Sequence, residues 1–432
     1  MSKPALERRI TAWGIWALAV NGMIGAGIFA VPAGAAALTG AWSPLVFLAC
    51  AALLGLIILC FAEISSHFRA TGGPALYVGT AFGRFAGFQT GWTVYVSRVT
   101  AYAANVNLMI ASLGFFWAPA ADGPWRIALI AGVIGLLTLI NILGTRQAMG
   151  SVGLLTVAKF LPLIAVAVGG LFWIDANGLT QTGAGGFPEI ASFGAAALLV
   201  VYAFVGWESA VIPAGESRDP ARDMPRALIW ALVSVALLYV VIQWVSVSVL
   251  GDDLATSETA LMDVAGVLFG PWGATLLAVG IIVSIGGNIA GTTVSAPRLT
   301  YALAREGTLP RFLGAVHPRF HTPAASILVF ALIGLALAVW GSFVWLAAMS
   351  ALVRILVYVA CIASMPRIRK AQGGAEGSFR LPLGWTIPVL AVLGSLILIT
   401  SVSLTSVIAT AVFLGLGAGL YFAFRRDPEP EI

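Results

Sequence analysis

A chain of 432 residues that is 60% hydrophobic and only 9% charged cannot cover a water-facing surface, because soluble domains carry about 25% charged residues. The mean hydropathy of +0.98 gives the same reading, and the net charge of +5 is distributed over short segments between apolar runs, which excludes a nucleic-acid-binding face. At roughly 20 residues per crossing the length allows about a dozen spans, and long apolar runs without ten-residue alternation point to helices, not a β-barrel.

In chain order, the polar residues 1–9 lead directly into a first span too long for a signal-peptide core, so no cleaved leader is expected. Twelve spans are predicted near 11–38, 43–65, 85–117, 125–145, 150–174, 191–213, 226–250, 271–301, 323–341, 343–365, 384–402 and 404–424. The intervening segments are short, and no soluble domain is expected at either end. Cys50, Cys60 and Cys361 all lie inside apolar runs, the three histidines are scattered, and no CxxC occurs, so neither a metal nor a cofactor is expected.

Lysine and arginine divide the loops into two sets. One holds Lys3, Arg8 and Arg9, Arg69 and Arg84, Arg146, Arg218 to Arg226, Arg305 to Arg319, Arg367 to Arg380, and Arg425 and Arg426. The other holds Arg126 alone, beside Asp122, Asp175, Glu189, Asp252, Asp253, Glu258 and Asp263. The sets alternate as twelve spans demand, and the positive-inside rule places the basic set and both termini in the cytoplasm.

Two spans are interrupted alike. The first carries Asn21-Gly22-Met23-Ile24-Gly25-Ala26-Gly27-Ile28-Phe29 at its middle, with Pro32 following. The sixth carries Phe204-Val205-Gly206-Trp207-Glu208-Ser209, followed by Pro213 and Gly215. Clustered glycine eases unwinding of a helix, and paired breaks at corresponding positions of two halves point to a transporter binding site. The breaks open two sets of five spans, and because five is odd the second set is inverted relative to the first. Small-residue packing between helices accounts for Gly22 or Gly25 singly, but less well for two breaks five spans apart.

These residues, together with Glu63 to Gly73, Arg218 to Arg226 and Tyr301-Ala302-Leu303-Ala304-Arg305-Glu306-Gly307, resemble the amino acid–polyamine–organocation transporters over about residues 1–382. The resemblance implies an all-α polytopic membrane protein with twelve transmembrane helices in a five-plus-five inverted repeat, helices 1 and 6 being discontinuous. The repeats would cover 1–175 and 190–365, with two additional helices at 383–425. Its partners would be a small amino acid or amine and the lipid bilayer of the cell membrane, with no nucleic acid, in a monomer or homodimer.

An amino acid zwitterion needs donors for its carboxylate and acceptors for its ammonium. The outer half of the first helix starts near Gly27, and its free N–H groups and positive dipole end suit the carboxylate, while Gly25, Ala26 and Gly27 are small enough to let a ligand reach the backbone. The ammonium would be met by carbonyls of Met23 and Ile24 in span 1 and of Tyr202, Ala203 and Gly206 in span 6. By the resemblance, Tyr202, Ala203, Val205 and Glu208, Tyr102 of span 3 and Asn288 of span 8 border the side-chain pocket, with Tyr202 as an aromatic gate. Departures from the family's arginine/agmatine exchangers in spans 3 and 8 favour a neutral, apolar amino acid, with a polyamine or cationic amino acid as the alternative.

Intramembrane charges are costly and usually functional. Lys159 lies in mid-span 5, where the resemblance places a lysine against the unwound part of span 1 in the position of a coupling sodium, which implies sodium-independent, proton-coupled or exchange transport; a snorkelling lysine is the plainer reading. Glu208, just past the second break, is read as taking a proton, pairing with Arg98, attracting a substrate cation or bonding across the break. Arg98 is expected to face the bundle interior, and Arg354 in span 10 is given no role. Glu63, Glu216, Arg218 and Asp219 are expected either as an inner-gate network or as exposed salt bridges. No repeated filter, catalytic constellation or GxxxxGK[ST] occurs, which argues against a channel, a membrane enzyme and an ATP-driven pump.

Overall fold

The computed structural model describes residues 10–68, 72–144, 152–173, 186–212, 217, 219–372 and 379–426. Among them the regular structure is helical, apart from a single bridge between Ile10 and Ser217. The first predicted span divides into α1 (Ala12–Met23) and α2 (Gly27–Thr39), followed by α3 (Ser43–Ser66), the short α4 (Pro74–Phe82), α5 (Arg84–Leu113), α6 (Gly123–Leu143) and α7 (Val152–Trp173). The second half runs through α8 (Ile190–Phe204), a 3₁₀ turn at Trp207–Val211, α9 (Pro220–Leu250), α10 (Ala260–Ser295), the short α11 (Pro297–Arg305), α12 (Ala324–Trp340) and α13 (Phe343–Gln372). Two further helices, α14 (Thr386–Thr400) and α15 (Leu404–Phe424), follow.

Most sequence boundaries lie within a few residues of these elements, and the departures have local causes. Pro271 was expected to open a span, yet α10 begins eleven residues earlier at Ala260 and bends at Gly270, whose φ of 71° and ψ of −169° only glycine adopts cheaply. The helix from Ala260 to the bend was not anticipated, and neither was α4. These two unforeseen helices are alike: α4 ends on Gly83, also at positive φ (90°) with extended ψ (177°), and a long helix follows it too.

Stretches such as Gly27–Ser66, Gly123–Leu143, Phe343–Ala371 and Leu404–Phe424 are long and apolar enough to cross a bilayer, and the chain is a multi-pass membrane protein. Its perimeter suits lipid, since Leu136, Leu139, Trp230, Leu237, Leu276, Leu332 and Ile397 are all exposed. Inside the bundle α3 packs on α9, α5 on α13, α7 on α10, α6 on α12 and α2 on α8, while α1 lies against the Trp207–Val211 turn. A buried aromatic cluster of Phe61, Tyr77, Trp207 and Tyr358 stands behind that turn. Tyr358 stacks on Trp207 at 5.3 Å, and the edge of Phe61 meets Trp207 at 4.9 Å.

Candidate functional site

The first break is made of backbone. Ile24 leaves helical geometry at φ −79° and ψ 83°, and helical bonding resumes when Phe29 donates to the Ala26 carbonyl at 3.1 Å. The Met23 carbonyl accepts from the Gly25 amide at 2.9 Å and from the Tyr239 hydroxyl at 3.0 Å, which fills both lone pairs. Met23 therefore has no acceptor left for a ligand ammonium, contrary to the sequence expectation. The amides of Gly27 and Ile28, at the N-terminus of α2, find no acceptor among the described residues.

The second break is held by charge. Val205 is extended and Gly206 takes φ 115°, so the Gly206 amide turns away from the helix and donates to Glu208 Oε2 at 2.9 Å. The same carboxylate accepts from the Tyr358 hydroxyl at 3.2 Å and forms an ion pair with Arg354. Glu208 is 5% exposed and lies outside the cavity lining, so it acts here as a carboxylate cap on the broken helix. Its partner is Arg354, not Arg98. The Gly206 carbonyl is also occupied, by the Ser209 hydroxyl at 2.7 Å and the Ser209 amide at 3.2 Å. The Tyr202 and Ala203 carbonyls, by contrast, accept no bond among the described residues.

The breaks cross backbone to backbone. A methyl group on Gly22 would collide with the Gly206 carbonyl, and one on Gly206 with that of Gly22. Gly27 is packed as tightly, since a methyl there would meet the Ala203 Cα at 2.5 Å. Its small size serves the contact between α2 and α8, whereas the sequence reading had assigned it to ligand access. Gly25 is different: a methyl there would meet only the Asn288 amide at 3.5 Å, an ordinary contact at the cavity wall.

Beside the crossing lies a cavity of about 340 Å³. Its wall includes Met23, Gly25, Ala26, Gly27, Tyr202, Val205, Gly206, Asn288 and Arg98 from the sequence-derived set. Ile24 and Ala203 are buried behind this wall. Tyr102 points elsewhere, against Phe330 of α12 at 4.9 Å and over Gly334. The lining also takes Leu18, Asn21 and Gly22 of α1, Ala101 and Asn105 of α5, Ser209, Arg354, and Gly287, Gly291, Thr292 and Ser295 of α10, none of which the sequence reading had placed there. Helical periodicity would have found several of them. Asn105 stands seven residues from Arg98, and positions 288, 291, 292 and 295 form one face. The Tyr202 hydroxyl donates to Asn105 at 2.8 Å and the Asn105 amide donates to Asn288 at 2.8 Å, a chain that ties α8, α5 and α10 across the cavity.

Of the expected gate residues, Glu63 and Asp219 lie among the described residues, and they have different partners. Glu63, 2% exposed, takes a two-pronged bond from Arg369 at 2.5 and 2.8 Å and a third from the Leu381 amide at 2.9 Å. Arg369 in turn covers the Trp385 ring at 4.2 Å. Asp219 is exposed and 3.9 Å from Arg222, an arrangement worth little. Glu216 and Arg218 lie outside the described residues, and so does the side chain of Lys159, whose backbone belongs to α7.

A protein-family model described as "Amino acid permease" matches residues 10–417. Over 426 residues, 95% of each chain, the sequence is 29% identical to the serine/threonine exchanger SteT of Bacillus subtilis. It is also 29% identical to an uncharacterized transporter of Mycobacterium tuberculosis, over 96% of this chain and 91% of that one. Against the branched-chain amino acid permease BcaP of Lactococcus lactis the identity is 23%, over 94% of this chain and 92% of that one.

Proposed function

The chain belongs to the amino acid permease family, and on that premise we propose that it is a sodium-independent secondary transporter moving amino acids across the cell membrane by alternating access. Family membership already makes it a membrane transport protein for amino acids and not an enzyme. The observation that carries the proposal is the cavity beside two crossed helix breaks, with amides at the start of α2 and a carbonyl at Tyr202 that have no partner among the described residues. Those donors suit a substrate α-carboxylate and that acceptor its ammonium.

We read the architecture as twelve spans in two inverted repeats, 1–175 and 190–365, with two added helices at 383–425 and both termini in the cytoplasm. Helix pairing supports this. Exchanging spans 1–5 with spans 6–10 turns the α5–α13 contact into the α10–α7 contact and the α2–α8 contact into that between α1 and the Trp207–Val211 turn, and returns the α3–α9 and α6–α12 contacts to themselves. The Gly83 and Gly270 hinges, each between a short helix and a long one, exchange in the same way. In that frame Leu18, Asn21 and Ser295 open the cavity toward the cytoplasm, while the Tyr202–Asn105–Asn288 chain and Phe343, 5.7 Å from Tyr202, cover its outer side. We infer an inward-facing conformation.

The wall bears on substrate. Asn105, Asn288, Thr292, Ser295 and Ser209 favour a side chain with a hydrogen-bonding end over an apolar one, and the guanidiniums of Arg98 and Arg354 disfavour a polyamine or cationic amino acid. For coupling we retain Lys159 as the cation in place of sodium. In proteoliposomes, amino acid counterflow should be unchanged when sodium is replaced by choline, and a strict sodium requirement overturns the role of Lys159. Uptake driven by a pH gradient and abolished in Lys159→Met marks proton coupling. Counterflow alone, with no pH profile traceable to Lys159, marks exchange.

A further inference from the structure

Charge is unbalanced in the cavity. The charged groups at its wall, among the described residues, are two guanidiniums, those of Arg98 and Arg354, and one carboxylate behind them, that of Glu208. The carboxylate is engaged by Arg354, the Gly206 amide and the Tyr358 hydroxyl. Arg98, partly buried in the middle of α5, makes neither an ion pair nor a hydrogen bond among the described residues. Arg354 is 9% exposed, lines the same cavity and has its Nε unpartnered. The two guanidiniums also lie within electrostatic reach of each other, so each raises the demand of the other for an anion.

An uncompensated guanidinium at mid-membrane depth is expensive, and it is the side chain best shaped to grip a carboxylate with two parallel bonds. A simple zwitterion brings one carboxylate and one ammonium, and the backbone groups at the breaks already account for both. That leaves Arg98 over. The cavity is small, of a size for one amino acid and not a peptide.

We propose that the cavity selects dicarboxylic amino acids, with Arg98 receiving the side-chain carboxylate of the substrate. The proposal rests on the amino acid transport reading above and narrows its substrate class. Arg354, held by Glu208, supports the positive potential, and Asn105, on the same face of α5 as Arg98, offers a hydrogen bond beside it.

The test uses the full-length protein in proteoliposomes, with counterflow of labelled L-glutamate, L-aspartate, L-serine and L-leucine. One of the two acids should be carried with kcat/KM about tenfold or more above serine and leucine. Arg98→Gln should lower acid transport by about ten- to a hundredfold, the range for losing a charge-assisted bond, while serine changes by less than about threefold. Arg98→Lys should restore part of the acid preference. A wild type that prefers serine or leucine overturns the proposal, and so does an Arg98→Gln variant that loses acids and serine alike, which would place the α-carboxylate on Arg98. Both of those outcomes leave amino acid transport standing. Counterflow of no amino acid at all removes both readings.

Discussion

The two helix breaks touch back to back yet keep their shapes by different means. Among the described residues the break around Ile24 shows backbone bonds and one tyrosine, and the amides at the start of α2 have no partner there. Around Gly206 the displaced amide is capped by Glu208, itself fixed by Arg354 and Tyr358. The first break is suited to reading what all amino acids share, because it presents peptide groups. The second uses a buried charge to hold its shape and leaves Tyr202 at the cavity wall. A pair of breaks can therefore look symmetrical in sequence and divide the work unequally.

The sharpest way to break this comparison is at the crossing. Gly206→Ala forces a methyl into the Gly22 carbonyl and a side chain onto positive φ, and should destabilise the fold by about 3 kcal/mol or more, read as lost thermal stability in detergent. Glu208→Gln comes next. It leaves Arg354 charged and buried without its counterion and should cost about 3 kcal/mol, with Glu208→Gln/Arg354→Met recovering much of the stability in the same melt. In the first break Tyr239→Phe removes one hydrogen bond to the Met23 carbonyl and should cost about 1 kcal/mol, with KM falling as that carbonyl becomes free to accept from the ammonium. Gly25→Ala should be the mildest for stability, within about 0.5 kcal/mol, because its methyl meets only Asn288 in ordinary contact. It should still raise KM, since the methyl occupies the cavity wall. If Gly25→Ala proved as unstable as Gly206→Ala, the distinction between an open and a packed glycine would fail.

Much of this was legible in the sequence. Apolar runs located most of the long helices, clustered glycine located both breaks, and Gly25, Ala26, Tyr202, Val205, Gly206, Asn288 and Arg98 line one cavity. What could not be read were partners across the bundle. Glu208 and Arg354 are 146 residues apart, and nothing local says that they pair, or that Glu63 meets Arg369 in place of Asp219. Glycine was ambiguous for the same reason. Gly22, Gly25 and Gly27 look equivalent in the chain, and only tertiary packing separates the one that faces a void from the two that face backbone. Tyr102 is four residues from Arg98 and close to it in angle, but Gly334 of α12 leaves a hollow that its ring fills.

The Gly22–Gly206 contact has a mechanical consequence. Where side chains separate two helices, rotamer changes absorb small displacements. Here one main chain bears on another with no flexible layer between them. The contact then works as a fulcrum: tilting α1 must carry the Trp207–Val211 turn with it, and the α2–α8 pair on the other side of the crossing must follow or slide. Such a joint transmits motion with little lost travel, and a bulkier residue on either side would jam it even if the protein still folded.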